Sequence, residues 1–261
     1  MTAVRSVLLA AALTVSCSRA GEPAATAAAP DALEVLGSVP GVAMAKIALG
    51  PGESFLLHAS RCQDVSVLVD DGAVQTSPSD ARLAKGSAAR FTATTTLRAD
   101  AEQGAQVFAA TVLSSAAGFE SVDWTGAPQS DACPKADAPQ VTSDPERSGP
   151  FMHAGGRLAV MIYLDSFETD RPVPSLGTLR GDAMLGVPEH THETSAEVLW
   201  IEDGSGTMRV GNETRPIRPG TFVYVPPKTI HGFEPDGIRP LFAYQVYAPA
   251  GPEQRFRTSK R

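Results

Sequence analysis

The sequence predicts an all-β protein whose chain divides into two halves of similar size. Glycine (23) and proline (21) are abundant among the 261 residues, and frequent turns are typical of proteins built from many short strands. Short segments rich in β-branched and aromatic residues alternate with these turn residues, and no long helical period appears. A polar, proline-rich segment without apolar periodicity, residues 130–150, is predicted to link the two halves.

The predicted strands lie on both sides of this linker and are bounded by Gly, Pro, Asp or Asn. In the first half they are residues 43–49, 65–69 and 106–113, and in the second half residues 158–164, 198–201, 221–225 and 242–247. The full predicted organisation is a signal peptide with a lipobox (1–17), a disordered tether (18–30), a first β-barrel (31–129), the linker (130–150) and a second barrel (151–261).

The N-terminus indicates export. Residues 7–15 form an apolar run that is too short to span a bilayer as a stable helix, as expected for the hydrophobic part of a secretory signal. The sequence Leu-Thr-Val-Ser-Cys at 13–17 resembles a bacterial lipobox, in which Cys17 would become the lipidated N-terminus. Two outcomes follow: a membrane-anchored lipoprotein of the periplasm or cell envelope, tethered by residues 21–30, or a secreted protein cleaved nearby.

The two remaining cysteines, Cys62 and Cys133, are predicted to pair, because cysteines left over in an oxidising compartment more often form disulfides than stay free. The alternative is two unpaired buried thiols. Neither cysteine stands in a CxxC or histidine-rich spacing typical of metal sites. The formal net charge of −7 comes without a basic cluster, so nucleic-acid binding is not expected.

A short internal sequence repeat suggests that the two halves arose by duplication. A strand running into an acidic turn closed by glycine occurs at residues 68–72 (Leu-Val-Asp-Asp-Gly) and again at 200–204 (Trp-Ile-Glu-Asp-Gly). A second glycine follows each turn and opens a new strand, at Gly86 and at Gly220. A duplicated barrel explains both pairs, although any β-protein could supply such turns.

Three of the five histidines fall in one pattern with a carboxylate. His190 and His192 are two residues apart, so on an extended chain they point to the same face, and Glu197 can join them if the chain bends. His231 follows a predicted strand and a Pro-Pro turn. Three imidazoles and one carboxylate favour a borderline divalent metal such as iron, manganese, nickel, copper or zinc. The sequence therefore predicts one such ion held by these four residues.

These four residues and the turns around them resemble the two motifs of the cupin superfamily. His190, His192, Glu197 and Gly204 match its first motif, H-x-H-x3–4-E-x6-G, and Gly220, Pro226 and His231 match its second. The departures touch turn positions only: the leading glycine is Gly186, closer to His190 than usual, while Lys228 and Pro235 replace a glycine and an asparagine. The resemblance covers about residues 150–250 and implies a jelly-roll barrel with a metal site.

The resemblance also implies that the chain is a bicupin, two jelly-roll barrels with the metal in the second. The repeat places His58, Ser60, Val65 and Leu97 where the second half has its four ligands. One imidazole cannot hold a metal tightly, so the first barrel is predicted to be degenerate and metal-free. By analogy with other cupins, a homodimer through edge strands is also expected.

Three kinds of function fit this sequence. The leading hypothesis is a metal-dependent enzyme acting on a small organic substrate, of the dioxygenase, decarboxylase or isomerase type. The second is a non-catalytic lipoprotein that binds a small ligand or the metal itself, and the third is a metal that only braces the barrel. No catalytic residue besides the metal ligands is assigned, although Gln245 or a tyrosine beside the metal could serve. Phosphate, dinucleotide and nucleophile-elbow motifs do not occur.

Overall fold

The computed structural model describes residues 32–39, 42–57, 63–113, 140–142, 148–166 and 172–257. Several predictions therefore lie outside the described residues: the signal peptide, the tether, most of the linker, Cys17, Cys62, Cys133, His58 and Ser60. Within the described part of the chain, no helix is long and apolar enough to cross a membrane. The prediction of an all-β fold is confirmed, since strands make up nearly all of the regular structure.

The first domain is one antiparallel sheet that curls on itself. Its strands are β1 (Leu33–Val39), β2 (Val42–Leu49), β3 (Ser54–Leu57), β4 (Gln63–Ser77), β5 (Arg82–Ala84), β6 (Ala88–Phe91), β7 (Thr95–Ala99), β8 (Ala105–Leu113) and β9 (Gln140–Thr142). The main order is β1-β2-β8-β4-β6-β9, and the long β4 also pairs with β5 and β7, which in turn pairs with β3. Because β4 takes part in both sides of the sheet, the sheet closes around an apolar core.

The second domain has two facing antiparallel sheets, as in a jelly roll. Its elements are β10 (Phe151–His153), β11 (Leu158–Leu164), β12 (Leu176–Gly181), β13 (Val187–His190), β14 (Ala196–Asp203), β15 (Gly206–Val210), β16 (Glu213–Ile217), β17 (Thr221–Val225), β18 (His231–Pro235), β19 (Leu241–Ala248) and a short helix α1 (Gln254–Arg257). The sheet orders are β10-β11-β12-β19-β14-β17 and β13-β18-β15-β16. An apolar core of residues from both sheets lies between them.

The repeated glycines have equivalent backbone conformations in both domains, although β4 continues through Gly72, where the sequence predicted a turn. All four glycines, Gly72, Gly86, Gly204 and Gly220, adopt positive φ angles between 72° and 91°, which side chains with a Cβ atom rarely tolerate. The amide of Gly86 donates to the Val69 carbonyl at 2.8 Å, and the amide of Gly220 donates to the Ile201 carbonyl at 2.8 Å. Equivalent strands thus begin with equivalent turns, as duplication predicts.

The two domains pack through a shared apolar cluster, which we call the interdomain core. It contains Met44, Leu68 and Phe108 from the first domain and Leu176, Val198 and Val246 from the second. Five large aromatic residues also lie in or against it: Tyr163, Trp200, Phe222, Tyr224 and Tyr244. Their role is therefore packing between the domains.

Polar contacts fix this interface. Lys46 forms an ion pair with Glu202 at 2.6 Å, and the same carboxylate accepts the indole N–H of Trp200 at 2.9 Å. Tyr244 stacks on Phe108 with ring centroids 4.0 Å apart and donates its hydroxyl to Asp70 at 2.6 Å. Burial raises the pKa of Asp70, although the hydrogen bond from Tyr244 opposes this rise. These bonds satisfy polar groups that would otherwise be buried at a cost.

Candidate metal centre

Neighbouring strands bring the four predicted ligands together at one end of the second barrel. His190 ends β13 and lies opposite His231, the first residue of β18. Glu197 is the second residue of β14, and His192 lies in the bend between β13 and β14. The backbone carbonyl of His192 accepts the amide of Lys228 at 2.7 Å. The predicted bend between the histidines and the glutamate is present.

Lys228 explains one departure from the cupin motif. It has a φ of 62°, in the left-handed region where the motif has glycine. The turn therefore keeps the backbone conformation that glycine favours while carrying a lysine side chain. This turn places His231 beside the other ligands, because β18 begins three residues later.

The four side chains form a compact and mostly buried group. One ligand atom from each of His190, His192, Glu197 and His231 lies within 4.8 Å of the others. Glu197 Oε2 is 3.2 Å from His192 Nε2 and 2.9 Å from His231 Nε2. His192, Glu197 and His231 are buried, whereas His190 is half-buried. The spacing is compatible with four atoms converging on one ion.

Backbone carbonyls orient two of the imidazoles. The Nδ1 atoms of His190 and His231 lie 2.9 Å from the carbonyl oxygens of Pro188 and Thr229 respectively. When His190 donates its Nδ1 proton outward, it presents the lone pair of Nε2 inward, as metal-bound histidines do, whereas Nε2 of His231 lies within hydrogen-bond distance of Glu197. His190 Nε2 is buried and has no hydrogen-bond partner. An orphaned nitrogen of this kind is what a metal ion would satisfy, so the residues fit the implied ion.

Two members of the group are held in protonation states that suit a cation, whereas for His231 the hydrogen bonds to Glu197 and to the Thr229 carbonyl outweigh burial and raise the pKa. Burial lowers the pKa of His190, so its ring is favoured in the neutral, ligating form. Burial by itself raises the pKa of Glu197, but hydrogen bonds from His192 and His231 outweigh it and hold the pKa well below its usual range. A neutral imidazole and an ionised carboxylate are the forms that bind metals.

Two residues that the sequence left unassigned hold the other oxygen of Glu197. Gln245 donates its side-chain amide to Glu197 Oε1 and also to the hydroxyl of Tyr247, 2.9 Å away. The Tyr247 hydroxyl lies 3.4 Å from Glu197 Oε1. Burial, together with the charge of Glu197, raises the pKa of Tyr247 well above its usual value, so this phenol keeps its proton. Tyr247 was not singled out from the sequence, whereas Gln245 was.

Three further polar side chains lie outside the ligand group. Glu193 is exposed, and Glu189 is exposed and paired with Arg209 at 2.6 Å. His153 is the last residue of β10. It is half-buried, and its Nε2 lies 3.0 Å from the carbonyl oxygen of Phe256, so it fastens α1 to β10.

A cavity of about 380 Å³ opens beside the ligands, inside the second barrel. His190, Glu197 and His231 form part of its wall, together with Gln245 and Arg255. The remaining walls are almost entirely aliphatic or aromatic. This volume is in the range of small-molecule sites in proteins.

In the first domain, the positions that correspond to two of the ligands are apolar. Val65 and Leu97 take the places of Glu197 and His231, and both are buried in the core of the first barrel. The other two corresponding positions, His58 and Ser60, lie outside the described residues. That the first barrel binds no metal stays a prediction.

Comparisons with known proteins agree with this architecture. The family model for the cupin domain matches residues 184–247, which contain all four candidate ligands. An uncharacterised protein of Methanocaldococcus jannaschii is 42% identical over 52 residues, which are 20% of this chain and 42% of that protein. The chain thus spans less than half the length of this curated relative.

Solved structures of Bacillus subtilis oxalate decarboxylase are similar in fold over most of the chain. One, described for its Mn(II) centres, has a TM-score of 0.57 at 15% identity and covers 81% of this chain and 70% of its own. Another, solved at pH 4.6, has a TM-score of 0.58 at 15% identity, with 81% and 69% covered. Identity at this level supports the two-barrel fold alone. The predicted bicupin architecture is confirmed as a fold, and residues 184–247 of the second domain match the cupin-domain family model.

Proposed function

We propose that this protein is a metal-dependent enzyme acting on a small organic substrate, of the dioxygenase, decarboxylase or isomerase type. The observation that carries the proposal is the position of the ligand group on the wall of a partly open cavity. A metal that only braced the barrel would be closed off by protein on all sides. Here His190 is half-buried and three of the four ligands face the cavity, so a substrate could reach the ion.

The four ligands and their partners each have a defined part in this proposal. His190, His192, Glu197 and His231 would hold one divalent transition ion. When bound, such an ion supplies Lewis-acid chemistry that polarises a substrate oxygen. Gln245 and Tyr247 orient Glu197 through its second oxygen, as partners of metal-binding carboxylates do. Tyr247, with its raised pKa, retains a proton at the hydroxyl and can donate a hydrogen bond at neutral pH.

A non-catalytic binding protein is the second candidate. Among the described residues that line the cavity, the only ionisable side chains besides the metal ligands are Glu189 and Arg255. Glu189 is already paired with Arg209. A cavity so poor in acid–base groups favours simple capture of a ligand, since many enzymes place a titratable group beside the reacting atoms. Turnover of a substrate separates the two candidates.

The test of the proposal is elemental analysis followed by an assay chosen by the metal. Protein purified without chelator is expected to contain about one equivalent of iron, manganese, nickel, copper or zinc. Iron or copper would direct the search to oxygen consumption, and manganese to decarboxylation or isomerisation. Absence of bound metal under every loading condition would contradict the enzyme proposal. Metal without turnover across these assays would favour the binding protein.

We also propose that the protein is exported and carries a lipid on Cys17. The support is the short apolar run at residues 7–15 followed by the lipobox-like sequence at 13–17. A bacterial host grown with a labelled fatty acid is expected to incorporate the label into the wild-type protein and not into Cys17→Ser. Unlabelled wild-type protein released into the periplasm or medium would show that the signal peptide is cleaved without lipidation.

A further inference from the structure

The inward face of β14 changes from polar to apolar along the barrel axis. Side chains alternate across a strand, so Glu197, Leu199 and Ile201 point to the same side, at steps of about 7 Å. All three line the cavity. We call the end of the cavity at Glu197 the metal end. From there toward Ile201, the side chains that β14 contributes to the cavity wall are apolar.

The neighbouring strands repeat this gradient. On β19, Gln245 lies at the metal end, whereas Ala243 and Leu241 lie farther along the same face. Leu199 is opposite Gln245 in the strand register, and Ile201 is opposite Ala243. The facing sheet contributes Met208, Ile217 and Phe233. The cavity thus has one polar end and one long apolar part.

This apolar part determines what can bind without a large desolvation cost. The cavity volume of about 380 Å³ is in the range of small-molecule sites. A small dianion such as oxalate would leave the aliphatic walls without apolar partners, whereas a hydrocarbon group of the right size would remove them from water.

The polar end carries one cation in addition to the candidate metal ligands. Arg255, on α1, is part of the cavity wall, and its Nη2 donates to the Tyr247 hydroxyl at 3.2 Å. Tyr247 contacts Glu197, so the guanidinium lies two hydrogen bonds from the ligand group. Arg255 is exposed, which places it where the metal end of the cavity meets solvent.

Helix α1 is held in place by contacts on both sides of Arg255. His153 is bonded to the carbonyl of Phe256, and Arg257 pairs with the buried Asp165 at 2.7 Å. The ring of Phe256 is buried and lines the cavity. The guanidinium is thus presented by an anchored segment, and an anchored cation loses less conformational entropy on binding an anion.

We propose that the site takes a monoanionic organic acid with an apolar body, whose anionic head lies between the metal end and Arg255 and whose body extends along β14 toward Ile201. This inference rests on the proposed function, because it concerns the same cavity. The inference goes beyond the proposed function by naming the class of substrate. It also separates this protein from one that acts on a small dicarboxylate.

The test is a binding measurement with three probes, made by calorimetry on the full-length protein both metal-loaded and metal-stripped. The probes are 4-phenylbutyrate, its uncharged amide 4-phenylbutyramide, and oxalate. We expect 4-phenylbutyrate to bind most tightly, the amide more weakly, and oxalate least. Tighter binding of oxalate than of 4-phenylbutyrate would overturn the proposal.

Two variants test where the anionic head and the apolar body of the ligand bind. Arg255→Gln is expected to weaken 4-phenylbutyrate about 10- to 100-fold and to leave the amide nearly unchanged, because a hydrogen bond to a charged group is lost. The matched control is Arg215→Gln, an exposed arginine paired with Glu213 away from this cavity. Ile201→Phe, which fills the apolar part, should weaken both phenyl probes. An equal effect of Arg255→Gln on acid and amide would overturn the role of Arg255.

Metal content measured on the same samples separates this inference from the proposed function. Protein that binds no metal yet still prefers 4-phenylbutyrate through Arg255 would refute the enzyme and keep the substrate class. Protein that binds metal but takes oxalate in preference would refute the substrate class and keep the enzyme. If Ile201→Phe does not fold, Ala243→Leu is the substitute, because its larger side chain would occupy the same apolar part of the cavity. It should also weaken the binding of both phenyl probes.

Discussion

His192→Ala is expected to lower metal affinity by about two orders of magnitude. A four-ligand site is worth about 10–16 kcal/mol, so losing one ligand removes on the order of a quarter of that energy. The fold should survive, because Glu197 keeps its contacts with His231, Gln245 and Tyr247. The measurement is metal stoichiometry and affinity beside far-ultraviolet circular dichroism. Full occupancy in a folded variant would contradict the ligand assignment.

The matched control for this experiment is His58→Ala. The repeat places His58 at the position of His190 in the first domain. The other corresponding positions carry Ser60, Val65 and Leu97, which offer no comparable set of ligands. Metal content should therefore stay unchanged in His58→Ala. A fall in metal content would show that the first domain contributes to metal binding after all.

Trp200→Ala is expected to destabilise the protein by about 3–5 kcal/mol. The indole packs in the interdomain core, and its N–H donates to Glu202, which is paired with Lys46 of the other domain. Its removal leaves a large cavity between the domains and takes one donor from a carboxylate. Chemical denaturation followed by circular dichroism measures the loss. A change under about 1 kcal/mol would mean that the domains do not pack through this face.

Trp200→Phe is the control that separates packing from hydrogen bonding. The phenyl ring keeps most of the apolar contact, so we expect a loss of only about 1–2 kcal/mol, including the hydrogen bond to Glu202. Neither variant should change metal content in the folded protein, since Trp200 points away from the cavity. Metal loss from folded Trp200→Phe would show that the two faces of β14 are coupled.

The ligand group could be predicted because its information is local. The spacing of His190, His192 and Glu197 lies within eight residues, and His231 follows a turn whose prolines are visible in the sequence. The turns of the repeat were equally visible, because Gly72 and Gly204 occupy backbone conformations that side chains with a Cβ atom avoid. Local geometry of this kind selects residue types directly. The fold class and the four candidate ligands follow from it.

The sequence did not show which side chains of a strand point into the barrel and which point toward the other domain. β14 is buried on both sides, by the cavity on one and by the interdomain core on the other, so Val198 to Ile201 are all apolar. In a strand with one exposed side, polar residues alternate with apolar ones and reveal which side chains point outward. Residues 198–201 contain no polar residue, so the sequence does not show which of them point into the barrel. The same holds for β19, where Gln245 faces the metal end and Tyr244 faces the other domain.

By itself, the sequence determined the all-β class, the duplicated turns and the residues that can hold a metal, because each depends on neighbours along the chain. Only the tertiary structure decided what surrounds the candidate metal site. Gln245 and Tyr247 reach Glu197 from 48 or more residues away, Arg255 contacts Tyr247, and the cavity is lined by strands from both sheets. Contacts between distant segments leave no spacing in the sequence, since they arise only when strand pairing and domain packing fix which face of each strand is inside.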